Sequence, residues 1–136
     1  MKIIYADNDK TDLRRSNMVE GLIAYNNQFQ PHENWDYAAF YAEDDQGTLL
    51  GGIHIHFEWD YGIIKHLWVA EPHKGIGSTL IAEAEKLARQ KDKKGLWTDT
   101  LEFQARGFYE KNGFTLFGEI KQAAGDYARY FMIKLF

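Results

Sequence analysis

Lys74-Gly75-Ile76-Gly77-Ser78 is the stretch of this sequence best suited to hold an anion. It follows an apolar run, Leu67-Trp68-Val69, and leads at once into helix-forming residues. A strand that turns through glycines into a helix points backbone N–H groups at a phosphate, and the helix start adds a partial positive charge. Lys74 adds a full one. Glycines at such a turn also serve backbone geometry alone. A P-loop is not present, because no Gly-Lys-Ser/Thr follows the turn. A second set of reactive side chains is His54, His56 and Glu58, which alternate along one strand, with His66 on the next. An imidazole, or a water held by a carboxylate, can accept a proton near neutral pH. The same alternation is also what a solvated strand face looks like. His54, His56 and Glu58 make a conceivable metal set, but a polar sheet face is the more ordinary explanation and no metal is expected.

These groups need a frame. The 136 residues suit one domain, 1–136, with a substantial core. Hydrophobic residues at 45% and charged residues at 26% are ordinary for a globular chain, and the aromatic share of 15% suits a filled core or an aromatic cleft. A net charge of −4 argues against a nucleic-acid partner, which would select a basic patch. The absence of cysteine excludes disulfides and thiolate chemistry. The N-terminus becomes charged too early for a signal peptide, and no apolar run reaches the ~18 residues of a membrane span. The expectation is a cytoplasmic protein without a membrane partner.

Residues 2–6 read as a strand, and a helix capped by Asp9 or Thr11 runs to about Asn26. A polar loop, 26–34, follows. Strands are expected at 37–42, 48–59 and 63–69, joined by turns at 43–47 and 60–62 into an antiparallel meander. Beyond the glycines, Leu80, Ile81, Ala84, Leu87 and Ala88 mark one face of a helix over 77–91. The strand at 95–100 should lie parallel to 63–69 through a right-handed crossover. A helix over 103–112, a strand over 114–120, a loop over 121–126 and a closing strand over 127–136 complete the chain.

This order of elements resembles the GNAT superfamily of acyl-CoA-dependent N-acetyltransferases. Leu67 through Ile81 is similar to the family's motif A. The Ala-x-x-x-Tyr-x-x-x-Gly-Phe pattern of Ala105, Tyr109, Gly113 and Phe114 is similar to motif B. The likeness covers about residues 37–136. It implies an α/β (α+β) fold: a mixed, mostly antiparallel sheet of about six to seven strands, a central βαβ unit and helices on both faces. One departure is visible. The family's loop reads Arg/Gln-x-x-Gly-x-Gly/Ala, and with Gly75 and Gly77 as its glycines the Arg/Gln position falls on Pro72. The loop is shortened, as though a basic-Gly pair were missing before Lys74.

The resemblance further implies acetyl-CoA as cosubstrate and direct acetyl transfer to a primary amine of a small molecule or peptide. Strands 63–69 and 96–100 would part around the pantetheine arm, with Leu67, Trp68 and Val69 beside it. The pyrophosphate would sit on Lys74, Gly75, Ile76, Gly77 and Ser78. Tyr109 would lie near the sulfur, contact the cofactor and protonate the leaving thiolate. Glu58 stands beside it as the second catalytic candidate, with His54, His56 and His66 as other possible bases. Trp35, Tyr37, Trp59, Tyr61 and Trp68 could line the acceptor cleft or simply pack. Asp44, Asp45, Glu58, Asp60 and Glu71 would suit a cationic acceptor. A homodimer through the C-terminal strands is a family expectation. A non-catalytic acyl-CoA-binding module of the same fold is the alternative reading.

Overall fold

Alternation in Ile53-His54-Ile55-His56-Phe57 puts three large apolar side chains on one side of a strand and polar ones on the other. In the computed structural model Ile53, Ile55 and Phe57 are at most 1% exposed, so this strand lies at the centre of a core. The structure describes residues 1–31 and 35–136. They fall in two compact units, Met1–Glu33 and Asn34–Phe136.

The first unit holds α1 (Leu13–Asn27). Its cap is Asp12, whose carboxylate accepts the Arg14 N–H at 2.9 Å, rather than Asp9 or Thr11. Asp9 instead closes the preceding turn by accepting the Thr11 N–H at 2.8 Å. The strand expected over 2–6 does not form: those residues have no ladder partner among the described residues, and without one there is no strand. The helix also takes in Asn26 and Asn27 from the expected loop, whose last residues, 32–34, lie outside the described residues.

The second unit contains β1 (Asp36–Glu43), β2 (Leu49–Glu58), β3 (Tyr61–Val69), α2 (Ile76–Gln90), β4 (Gly95–Leu101), α3 (Arg106–Lys111), β5 (Thr115–Ala124) and β6 (Tyr127–Leu135). They build one six-stranded sheet in the order β1-β2-β3-β4-β6-β5. Only β3 and β4 are parallel, joined through α2 as the central βαβ unit. Leu80, Ile81, Ala84 and Ala88 of α2 are buried with Ile53, Ile55, Phe57, Ile64 and Leu96 of the sheet. Tyr109 of α3 joins the same cluster, with Phe114 and Met132. Glu85 ties α2 to β6, accepting from Lys134 Nζ at 2.6 Å and from Arg89 Nη2 at 3.0 Å. Burial pushes the Glu85 carboxyl up, but those two hydrogen bonds outweigh it and hold the group below its ordinary range.

Two boundaries differ from expectation for local reasons. The helix expected over 103–112 begins only at Arg106, because residues 101–104 close a turn. There the Gln104 side chain accepts the Leu101 N–H at 2.8 Å, and the Ala105 N–H goes to the Thr100 hydroxyl at 3.1 Å. The loop expected over 121–126 is mostly strand. β5 runs to Ala124 through an irregular register after Ile120, and Gly125 (φ 60) turns the chain into β6.

Candidate functional site

The feature that makes a site is a parting of strands. β3 and β4 pair only from Tyr61↔Gly95 to Ile64↔Thr98, although β3 continues to Val69 and β4 to Leu101. The cause is in the next strand over. His54 of β2 pairs with His66, yet Ile55 pairs with Ile64, so Lys65 is an extra residue on β3. A bulge of this kind bends its strand and ends pairing on its far side. From Lys65 to Val69, the edge of β3 that faces β4 has no strand partner among the described residues.

Tyr109 sits at that parting. It is 5% exposed, packed edge-on against Phe108 and Phe114 with ring centres 5.3 Å away in each case. Its phenol is hydrogen-bonded to the side chain of Thr98, on the last paired rung. Burial raises the Tyr109 pKa and the charge of Asp99 adds to that, while the Thr98 bond opposes it, so the phenol is held protonated. Thr98 in turn donates to the Ile64 carbonyl at 2.9 Å across the same rung. Sequence reasoning missed Thr98. The available signal was a hydroxyl among apolar residues of a covered strand.

The glycine loop lies at the far end of β3. Residues 70–75 connect Val69 to α2, and His73 (φ 65) and Gly75 (φ 80) both adopt left-handed conformations to make so short a turn. Gly75 is the N-cap of α2 and supplies no side chain to it. The first N–H groups of the helix, on Ile76, Gly77 and Ser78, therefore have no capping side chain and face outward from the helix start. Gly77 is needed for a different reason. A Cβ there would stand 3.0 Å from the Phe108 ring, so bare backbone lets the start of α2 close against α3. Lys74 is exposed, with its ammonium 3.9 Å from the Glu71 carboxylate. Leu67 and Val69 pack against the core, and Trp68 faces the other way, 55% exposed.

The outer face of the sheet carries the histidines. His54 and His66 approach through their Nδ1 atoms at 3.2 Å, and Tyr41 Oη lies 2.8 Å from His54 Nε2. Tyr41, Leu49, Gly52, His54, His66 and Trp68 line a shallow cavity of about 170 Å³. His56 is apart from them, stacked on Tyr37 at 4.4 Å between ring centres. Glu58 lies 3.8 Å from His56 at the closed end of the strand pair, where Tyr61 still pairs with Gly95. The structure thus gathers Tyr109, Leu67 and Val69 about the parting and puts the glycine loop at its end. It leaves Glu58 three residues below the last rung, about 10 Å away at the usual strand rise.

The acidic residues noted near the meander are largely engaged. Asp44 accepts the Gln46 and Thr48 N–H groups at 2.9 Å each, and Asp60 holds Lys94 at 3.0 Å. Trp35 and Trp59 pack edge to face at 5.0 Å. Among the described residues no three His, Asp or Glu side chains form a metal-ligand set, and no helix is long and apolar enough to cross a membrane.

The model of the acetyltransferase (GNAT) family matches residues 8–114. The blasticidin-S acetyltransferase of Streptomyces morookaense is 34% identical over 99 residues, 71% of this chain and 73% of that protein. An acetyltransferase from Bacillus cereus ATCC 14579 shares the fold with a TM-score of 0.90, at 24% identity, over 99% of this chain and 98% of the other. The PaiA N-acetyltransferase of Thermoplasma acidophilum, solved in complex with coenzyme A, has a TM-score of 0.60 at 24% identity, covering 98% of this chain and 81% of that one. The order of strands, the parting of β3 from β4 and the family match agree, and the chain belongs to the acetyltransferase (GNAT) family.

Proposed function

We propose that this acetyltransferase uses acetyl-CoA and passes the acetyl group directly to a primary amine of a small molecule or peptide. The observation that carries this reading is the buried, protonated Tyr109 phenol at the point where β3 leaves β4. Bound there, acetyl-CoA supplies the acetyl group as a thioester. The unpaired edge near Leu67 and Val69 offers backbone groups to the pantetheine arm and an N–H to polarise the thioester carbonyl. Trp68 borders the arm from the outer face. Ile76, Gly77 and Ser78 offer the N–H groups of the helix start to the pyrophosphate, Gly75 provides the turn, and Lys74 adds the cation. The shortened loop leaves this cradle with fewer donors than the family pattern, so Lys74 carries more of the phosphate contact.

Tyr109 protonates the departing thiolate as it forms, and burial keeps the phenol in its proton-bearing form until then. Glu58 stands about 10 Å along the sheet from the last rung, with its carboxylate 3.8 Å from His56. The kinship with a blasticidin-S acetyltransferase supports a small-molecule acceptor. The family model crosses both compact units, which supports reading residues 1–136 as one working domain. A homodimer through the C-terminal strands is supported by β5, an edge strand with Leu116, Phe117 and Ile120 exposed.

The test is acetyl-CoA calorimetry together with a turnover assay on a panel of primary amines. The expected result is binding of acetyl-CoA and release of one free CoA thiol per acetylated amine. Binding without turnover of any amine would make the chain a non-catalytic acyl-CoA module.

A further inference from the structure

Three side chains on the outer face are joined end to end. Tyr41 of β1, His54 of β2 and His66 of β3 form a continuous hydrogen-bonded row, 2.8 Å and then 3.2 Å. The row exists because of two backbone features. The bulge at Lys65 brings His66 opposite His54. Gly52, whose missing Cβ would lie 2.9 Å from the Tyr41 ring, lets that ring lie across the strand and reach His54. His66 lies within the unpaired stretch of β3, and Tyr41 at the other end is 59% exposed to water.

An Nδ1···Nδ1 hydrogen bond has room for one proton. Two neutral imidazoles that share it must be opposite tautomers, one carrying its hydrogen on Nδ1 and the other on Nε2. In one arrangement Tyr41 donates to His54 Nε2, His54 Nδ1–H donates to His66 Nδ1, and His66 carries its hydrogen on Nε2. In the other every hydrogen is shifted by one place, and His66 Nε2 is a bare lone pair. The two states differ by one proton moved from one end of the row to the other.

We propose that Tyr41, His54 and His66 form a proton relay that removes the proton of the acceptor amine. This rests on the acetyltransferase reading above. The protonated amine gives its proton to His66 Nε2, which frees the nitrogen lone pair for attack. His66 Nδ1–H passes to His54 Nδ1, His54 Nε2–H passes to Tyr41 Oη, and Tyr41 releases its own hydroxyl proton to water. One proton enters and one leaves, both imidazoles end neutral with their tautomers exchanged, and exchange with water at the two ends resets the row. His66 is the group that touches the amine; His54 and Tyr41 position it and carry the proton away. Charged neighbours of this place among the described residues include Lys65, next to His66 on β3, and Asp99 and Arg129 on β4 and β6, one residue past the last paired rung and beyond. Asp99 and Arg129 are ion-paired at 2.6 Å, so that carboxylate is engaged by the guanidinium. His56 shares the face but not the row, its Nε2 being without a hydrogen-bond partner among the described residues.

The experiment has two arms. Long-range proton–nitrogen NMR of the intact protein at neutral pH should show His54 and His66 as opposite tautomers, and His66→Gln should release His54 from its fixed tautomer. If both histidines carry their hydrogens on Nε2 they cannot share a proton, and the relay is wrong. The second arm measures kcat for the best amine from pH 6 to 10. His66→Gln should lower kcat about 100-fold at neutral pH, with acetyl-CoA affinity unchanged. That deficit should shrink towards pH 10, where an alkyl amine loses its proton unaided. Tyr41→Phe should lower kcat about fivefold, since His54 Nε2–H must then pass its proton straight to water. A His66→Gln deficit that is constant with pH overturns the relay in favour of a structural role. Wild-type protein that acetylates no amine overturns the acetyltransferase reading itself, whatever the tautomers.

Discussion

The two faces of the sheet where β3 leaves β4 carry the same kind of chemistry in opposite surroundings. On the inner face Tyr109 is packed among Phe108, Phe114 and Thr98, away from water, and burial holds its proton on. On the outer face Tyr41, His54 and His66 line a shallow cavity open to solvent and exchange hydrogen bonds in a row. A dry phenol is suited to keep its one proton and to give it up at one moment, to an anion formed beside it. A wet chain of imidazoles is suited to take protons from a substrate and hand them to water. Acetyl transfer to an amine needs both, and the strand between the faces is the one whose edge is left unpaired beyond Ile64.

The largest effect should come from the dry side. Tyr109→Phe keeps the ring and its packing but removes the hydroxyl proposed as the acid, so kcat should fall about 100- to 1,000-fold while acetyl-CoA affinity in calorimetry stays within about twofold. Equal turnover would mean that the inner face only packs. Next is Thr98→Val, which keeps the shape of the last rung but strips the bond to Tyr109 and leaves the Ile64 carbonyl without its donor. A tenfold loss of kcat and about 1–2 kcal/mol of stability in urea melts are expected. The smallest effect is on alkaline stability. The Tyr109 pKa is raised in the folded state, so its stabilisation is complete below the unfolded tyrosine pKa near 10. It is lost as pH climbs from there, because the unfolded chain ionises first. Melts at pH 9 and 11 should show a loss, at most about 1.4 kcal/mol per pH unit, that Tyr109→Phe does not share.

Much of this frame could be read along the chain, and the reasons differ by region. Strands and helix faces follow from side-chain periodicity, so β2, β3 and α2 came within a few residues of their true ends. Motifs A and B, with the glycine loop and Tyr109, could be found because their residue types recur at fixed spacing. Cross-strand relations could not. Which residue of β1 meets His54, and whether His66 lies opposite it, depends on register and on the bulge at Lys65, neither of which leaves a local pattern. That is why Tyr41 and Thr98 were not foreseen, and why the position of Glu58 could not be fixed: alternation places it on the histidine face but does not say how far along. The two glycines of the loop also looked alike in sequence. Only the structure separates Gly75, needed for its φ of 80, from Gly77, needed for contact with Phe108.

The most direct measurement is backbone amide exchange with and without acetyl-CoA. Occupation of the parting predicts that exchange slows about tenfold or more at Leu67 or Val69 and at Ile76, Gly77 and Ser78, while Gly51 and Ile53 on the other side of β3 are little changed. Tight binding of acetyl-CoA with no slowing at Ile76, Gly77 and Ser78 would contradict the account, because the glycine loop would then not be where the pyrophosphate rests.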